Sequence, residues 1–319
     1  MLDMSRSLRR NFAVAAAAMA CGLIGVPAAR GQTAYQFTTF NIPGAGGTQI
    51  YGISGNTIVG DYFDSQGTHG FVDNGSTVTT LNGPSGTRTV ALSVSGTNVV
   101  GDYTSSQGIT HGFLYNGSTV ANFDNPLGVS QNAATGISGS TIVGTFTDAS
   151  NQIHGYIYDG NNFATFDAPV AGSSRTGISG ISGSTIVGQY SYDGIHGFVF
   201  DGTTFTTLDD PDAQPAGLIG LIETTATGIS GQTIVGNFLD GNAISNGFVY
   251  SDSNFTTIDD PLGVDGTYVT AVDGTTIVGY YLDGGFITNG FIATPVPEPA
   301  SATILSVTAL ALLRRRRRR

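Results

Sequence analysis

The glycine that closes the tripeptide Ile-Val-Gly, or Val-Val-Gly in one copy, recurs at Gly60, Gly101, Gly144, Gly188, Gly236 and Gly279, at intervals of 41, 43, 44, 48 and 43 residues. A second landmark keeps step with it. A His-Gly or Asn-Gly pair ends at Gly70, Gly112, Gly155, Gly197, Gly247 and Gly290, each followed by Phe or Tyr. Two landmarks in register through six copies leave few folds open, because a period near 43 residues marks an array or a propeller.

Each period reads as four strands. The first is short, Thr227 to Ser230 in the fifth copy, and a Ser-Gly or Asp-Gly turn leads to the second, Thr-Ile-Val-Gly-x-Tyr, whose β-branched and aromatic residues favour extended backbone. A variable Asp- and Gly-containing loop precedes the third, Gly-Phe-Val-Tyr. Asn74-Gly75, Asn116-Gly117, Asp159-Gly160 and Asp201-Gly202 then predict two-residue hairpins with both central residues at positive φ. The fourth strand, Phe-Thr-Thr-Leu-Asp, is closed by Pro126, Pro169, Pro211 or Pro261, since proline cannot continue a ladder.

Four antiparallel strands per period describe one propeller blade; a β-solenoid is the alternative, but its coils take fewer residues. The last period stops after Gly290-Phe-Ile-Ala293 without a fourth strand, whereas Tyr35 to Pro43 is a lone fourth strand before the first period. The expected fold is therefore all-β, a six-bladed β-propeller over residues 32–295, with the N-terminal strand completing the last blade and leaving no unpaired edge.

Composition agrees, with 47 glycines, 11% charged residues and neither Lys nor Trp. Between Gln32 and Pro295 only Arg88 and Arg175 are basic, against 21 acids, which excludes a phosphate-tracking nucleic-acid surface and disfavours acidic polymers as partners. The single Cys21 falls inside the leader, so disulfide and thiolate chemistry are not expected of the mature chain.

Residues 1–31 have the order of a secretory signal: Arg6, Arg9 and Arg10, then the apolar run Phe12 to Val26, then small residues at Ala28, Ala29 and Gly31. Arg9-Arg10-Asn11-Phe12 is similar to a twin-arginine signal, and Ala18 to Cys21 is a poor lipoprotein box. Residues 296–319 form a second processing segment. Val296-Pro297-Glu298-Pro299 precedes the apolar Ala302 to Leu313 and the basic stop Arg314, Arg315, Arg316, Arg317, Arg318 and Arg319. The apolar part spans only about 18–21 Å at 1.5 Å per residue, short of a roughly 30 Å bilayer core, so it makes a poor permanent anchor. Arginines beside it oppose translocation.

On these residues the C-terminal segment resembles the PEP-CTERM sorting tail, and the repeat Gly-Ile-Ser-Gly-x-Thr-Ile-Val-Gly with His-Gly-Phe-Val-Tyr-Asp-Gly resembles the HAF-type repeats of secreted bacterial proteins. Gly stands where the HAF pattern has Ala, and Asn246 and Asn289 replace His. The resemblance implies export, a transient membrane-held precursor, cleavage by an exosortase-type enzyme, and residence at the cell surface or in the extracellular matrix.

His69, His111, His154 and His196 occupy one repeat position, as do Asn246 and Asn289, which predicts a repeated structural hydrogen bond rather than a catalytic or metal cluster. Asp64, Asp148, Asp193, Asp240 and Asp283 follow the second strand, and Asp209-Asp210 and Asp259-Asp260 end the fourth. Turn capping is the expectation for them; a Ca²⁺ site would require denser spacing, so no cofactor is assigned. Departures from the repeat, where a specific site would have to lie, are Pro211 to Thr227 and the doubled Gly-Ile-Ser at Gly177 to Ser182. The expected function is a non-enzymatic structural or adhesive surface protein; the alternatives are a glycan-binding module using exposed tyrosines, and a glycoside-active enzyme using paired carboxylates.

Overall fold

The computed structural model describes residues 34–84, 86–215 and 221–296; the leader, Pro297, Glu298, Pro299 and Arg314 to Arg319 lie outside the described residues. The described chain is all β. Strand β1 (Tyr35–Phe40) precedes blade 1, formed by β2 (Gly47–Ser54), β3 (Thr57–Asp64), β4 (Gly67–Asp73) and β5 (Val78–Leu81). Blade 2 is β6 (Gly86–Ser95), β7 (Asn98–Ser105), β8 (Thr110–Tyr115) and β9 (Val120–Asn122), and blade 3 is β10 (Asn132–Ser138), β11 (Thr141–Thr147), β12 (Ile153–Tyr158) and β13 (Phe163–Phe166). Blade 4 is β14 (Arg175–Ser182), β15 (Thr185–Ser191), β16 (Ile195–Phe200) and β17 (Phe205–Leu208), and blade 5 is β18 (Thr224–Ser230), β19 (Thr233–Leu239), β20 (Ser245–Ser251) and β21 (Asn254–Ile258). Blade 6 holds β22 (Thr267–Asp273), β23 (Thr276–Leu282) and β24 (Thr288–Pro295).

Blade 6 takes its fourth strand from the other end of the chain. β1 pairs antiparallel with β24 from Tyr35↔Pro295 to Phe40↔Gly290. The sheets themselves stay open; what joins blade 6 to blade 1 is packing of Ile50, Ile58 and Phe71 against Val278, and the Thr270 hydroxyl donating to the Ile50 carbonyl at 2.8 Å.

Two positions per blade carry the core. The second-strand valines Val59, Val100, Val143, Val187, Val235 and Val278 and the third-strand rings Phe71, Phe113, Tyr156, Phe198, Phe248 and Phe291 are all 0% exposed. Full burial of a side chain of this size stabilises by about 1.5–3 kcal/mol.

The first strand of each blade is longer than its sequence suggests, Thr224–Ser230 rather than Thr227 to Ser230, because a β-bulge breaks the alternation that would have marked it. The bulge recurs in all six blades, between Ile50/Gly52, Ala91/Ser93, Ala134/Gly136, Ile178/Gly180, Ala226/Gly228 and Val269/Ala271. The doubled Gly-Ile-Ser is absorbed in this way, with Ser179 as the bulged residue of β14.

Hairpin chemistry corrects one expectation. In the Asn-Gly and Asp-Gly turns only the glycine is left-handed, at φ 81, 91, 100 and 97 for Gly75, Gly117, Gly160 and Gly202. The Asn or Asp instead accepts backbone hydrogen bonds on its side chain, Asn74 Oδ1 from the amides of Ser76 and Thr77 and Asp201 Oδ1 from Thr203 and Thr204. The turn with two left-handed central residues occurs where glycine is missing, at Asp252 (φ 51) and Ser253 (φ 62) between β20 and β21. An L-residue in that conformation costs roughly 1–2 kcal/mol, partly offset by its smaller unfolded-state entropy, so Ser253→Gly should gain about 0.5 kcal/mol. The expected readout is a Tm rise of about 1–2 °C in thermal denaturation; a lower Tm would refute it.

Antiparallel strands place the connections on two faces. On the turn face, Gly75, Gly117, Gly160 and Gly202 lie beside Asn56, Thr97, Ser140 and Ser184 of the first hairpin in the same blade. On the opposite, loop face, the connection from one blade to the next meets the loop after the second strand: Val129 N donates to Thr147 O, Ser174 N to Ser191 O, and Asp265 N to Leu282 O. The first and last described residues meet at the turn face, where Val296 N donates to Ala34 O at 2.8 Å.

Candidate functional site

The bulged residues of the six first strands, Tyr51, Leu92, Thr135, Ser179, Thr227 and Thr270, line one axial cavity of about 270 Å³, completed by Asn237, Tyr268 and Tyr280. A bulge re-aims a side chain out of the sheet, and here it does so once per blade. Several of the hydroxyls also tie neighbouring blades together: Thr135 donates to Ile178 O at 2.6 Å and Thr227 to Val269 O at 2.8 Å. Tyr51 and Leu92 replace the small hydroxyl in blades 1 and 2.

The cavity wall is asymmetric. Tyr268 and Tyr280 stack with centroids 4.8 Å apart and planes 8° apart, and Tyr51 meets Tyr280 edge-on at 6.0 Å. The Tyr51 hydroxyl donates to Gln49 Oε1. Burial, then the nearby Asp61 carboxylate, pushes the Tyr51 phenol up, and burial followed by Tyr268 and Asp61 does the same to Tyr280, so both remain hydrogen-bond donors at any physiological pH.

Asp61 is 6% exposed, and burial pushes its carboxyl up to about 7; Arg88 pulls it down and Asp102 raises it further. Asp102 is raised as well, by burial, against the pull of Arg88, whose Nη1 donates to Asp102 Oδ1 at 2.8 Å. The two arginines and the single glutamate of the described residues share one repeat position, the start of the first strand. Thr68, Ile153 and Ile195 of the preceding blade bridge in parallel to Arg88, Arg175 and Glu223 there.

The sequence-predicted histidines do not converge on this cavity. Each sits at the loop face of its own blade with its ring against an aromatic of the second strand: His69 on Tyr62, His111 on Tyr103, His154 on Phe146 and His196 on Tyr190, with centroids 5.2–5.3 Å apart. The Nδ1 position is hydrogen-bonded thirteen residues on, to Asn82, Asp124, Asp167 and Asp209 at 2.7–2.9 Å. On the other side of the ring, Nε2 of His69, His154 and His196 lies 3.3, 3.4 and 2.9 Å from Asp64, Asp148 and Asp193. Asn289 keeps a related contact, accepting from Asn41 Nδ2 at 2.8 Å, while Asn246 donates to Ile244 O and Asp259 accepts from Gly247 N.

The acids after the second strand bind their own loops, Asp148 Oδ1 accepting from Ser150 N and Gln152 N and Asp283 Oδ1 from Gly285 N and Ile287 N. In the Asp-Asp pairs the second member is buried: Asp210 and Asp260 are 4% exposed and cap Asp212 N and Leu262 N. Among the described residues no group of three or more His, Cys, Asp or Glu is arranged to hold a metal ion. Of the sorting motif only Val296 is described; it is exposed.

These ionisations give stability a sign. For His154 and His196, burial opposes protonation but the flanking carboxylates outweigh it, so both are raised; their stabilisation is complete below the unfolded value near 6.5 and is lost as pH rises through the folded value. Asp61, raised to about 7, acts in the same direction, because the folded state holds its proton where the unfolded chain has released it. Asp64, Asp148 and Asp283 are lowered, chiefly by backbone hydrogen bonds, and Asp193 chiefly by its hydrogen bond to His196; all four lose their stabilisation only as pH falls through the folded carboxylate range. Thermal melts should therefore be highest near about pH 5 and decline toward about pH 8, and Asp61→Asn should raise Tm more at the upper pH than at the lower. An equal gain at both pH values would refute the assignment to Asp61.

The tyrosine wall and Asp61 were not singled out from sequence, although a signal existed. The residue after the Ile-Val-Gly glycine reads Asp61, Asp102, Thr145, Gln189, Asn237 and Tyr280, a variable position inside an otherwise uniform repeat. The tyrosines that gather are half-buried on the axis; the exposed Tyr192 stands apart from them, 57% exposed on a loop.

No family model matches the sequence, and no curated protein matches it. In structure the chain is similar to the fungal lectin of Aleuria aurantia, described as a six-bladed β-propeller with a novel fucose recognition mode, with TM-score 0.51 and 12% identity over 82% of this chain and 99% of that one. A mutant of that lectin in complex with alpha-methyl-L-fucoside aligns with TM-score 0.52 and 14% identity over the same shares. A mutant of AofleA from Arthrobotrys oligospora aligns with TM-score 0.51 and 14% identity, covering 82% of this chain and 88% of that one. At these identities the likeness is one of fold.

Proposed function

We propose that this propeller is a non-enzymatic carbohydrate-binding module whose sugar site is the axial cavity. The observation that carries the reading is the one-sided wall of Tyr51, Tyr268 and Tyr280 facing Thr135, Ser179 and Thr227 in a cavity of about 270 Å³. Aromatic faces take the apolar C–H face of a sugar ring, and phenols, hydroxyls and Asn237 offer donors and acceptors for its hydroxyls. The volume lies just under the roughly 300–1,000 Å³ of drug-sized ligand sites, a fit for one ring unit of a longer glycan. Similarity to propellers that bind fucosides supports the class of ligand without naming the sugar. A shortage of arginine makes neutral rather than acidic sugars the ligands of this cavity.

The leader and the PEP-CTERM-like tail support delivery of the module to the cell surface or matrix, with the adhesive role carried by glycan binding. A glycan array with titration of the best ligand tests the reading. Tyr268→Ala should lower affinity by about tenfold or more, equivalent to about 1.4 kcal/mol. Absence of any bound glycan, or affinity unchanged by both Tyr268→Ala and Tyr280→Ala, would sink it.

A further inference from the structure

The two faces of the ring differ in chemistry. Eleven of the thirteen large apolar side chains exposed among the described residues lie on the loop face, among them Leu127 (60%), Val129 (56%), Leu262 (56%), Val264 (62%), Phe286 (73%) and Tyr192 (57%). Isolated exposed apolar residues need no explanation, but a concentration on one face of a protein marks an interaction surface. Acidic groups share that face: Asp167, Asp193 and Asp209 remain 52%, 73% and 38% exposed beside their histidines. Because His154 and His196 each have two carboxylate partners, each group stays net negative even when the imidazole is protonated. The turn face is built mainly from Gly, Asn, Ser and Thr and carries fewer acids, Asp73, Asp159, Asp201, Asp252 and Asp273.

We infer that the loop face docks a cationic amino-sugar polymer, a chain of glucosamine-type units with free amino groups. Charge chooses the sign of the ligand, since 21 acids stand against Arg88 and Arg175 in the segment between leader and tail. Periodicity chooses its form. The apolar groups are not gathered into one groove that would seat a helix; Leu127 and Val129 after blade 2 are repeated as Leu262 and Val264 after blade 5, each beside an acidic loop, which matches a ligand whose apolar ring faces and ammonium groups also repeat. A surface of this kind gains from many weak contacts at once. The inference rests on the carbohydrate reading but uses a different surface from the axial cavity.

The test is binding to immobilised glucosamine oligomers at about pH 6, where the amines are charged, against the same oligomers N-acetylated. The deacetylated chain should bind about tenfold or more tightly, and about 0.5 M salt should remove the difference by screening. The variant Leu127→Asn/Val129→Asn/Leu262→Asn/Val264→Asn changes only exposed loop side chains and should lose binding by a similar factor with an unchanged Tm, whereas Tyr280→Ala should retain it. Equal binding of the acetylated oligomer, equal binding of polylysine, or full binding by the fourfold variant would overturn the inference. Loss with Tyr280→Ala alone would overturn it too, by placing the polymer in the axial cavity.

Discussion

A chain lacking Tyr35 to Asn41 is expected to melt at least about 10 °C below the intact protein. The segment supplies the whole of β1, whose pairs run from Tyr35↔Pro295 to Phe40↔Gly290, so its loss leaves β24 as an unpaired edge. It also removes Phe37, which meets Phe291 edge-on at 5.3 Å, and Phe40, which stacks on Phe71 at 5.8 Å across the seam with blade 1. Partial burial of three aromatic side chains contributes about 1–2 kcal/mol each, and the loss of the pairing brings the total to about 5 kcal/mol. At about 2–4 °C per kcal/mol for a domain of this size, the shift is well outside error. Adding the missing strand as a peptide should restore part of it. An unchanged melting temperature would mean that blade 6 is stable with three strands and that the ring does not depend on its N-terminal strand.

Gly188→Ala is expected to cost at least about 3 kcal/mol, beyond the usual range for a single added methyl. A Cβ at Gly188 would lie 2.0 Å from the Gly177 carbonyl oxygen and 2.9 Å from the Phe198 ring. The ring could shift, but the carbonyl belongs to the β14–β15 ladder and cannot. Gly183→Ala is the control. Its Cβ would meet nothing within 4 Å, and the cost is only that of holding φ +61 in an L-residue, about 1–2 kcal/mol. If chemical denaturation found the two substitutions equally damaging, steric closure over the second-strand glycine would not be the reason this residue recurs. The same clash awaits a side chain at Gly60, Gly101, Gly144, Gly236 and Gly279, where an added Cβ would lie 1.9–2.1 Å from a first-strand carbonyl oxygen.

That glycine shows why so much of the fold was legible. Its clash is geometric and identical in every blade, so the sequence cannot drift there, and Ile-Val-Gly stands out at every period. The lone Tyr35 to Pro43 strand was equally readable, because the last period visibly lacks its partner. The length of the first strands was not. Their bulge at Tyr51, Leu92, Thr135, Ser179, Thr227 and Thr270 breaks the two-residue alternation, and polar residues such as Asn132 and Thr224 precede it. Asn-Gly was overread as a fully left-handed turn, since the sequence does not reveal that the Asn side chain caps the turn itself. The axial wall escaped for the opposite reason to the glycine. A repeat is found through what stays constant, whereas Tyr51, Asp61, Tyr268 and Tyr280 sit where the copies differ.

The meeting of Ala34 and Val296 at the turn face gives the domain a defined response to mechanical load. A pull applied at Val296 by a tether, with resistance from a ligand on the loop face, runs along the axis of β24. That strand is flanked on one side by β23 and on the other by β1, each paired with it over six residue positions. The load therefore shears both ladders at once instead of peeling one open rung by rung, so the strand that closes the ring also anchors it against being drawn out.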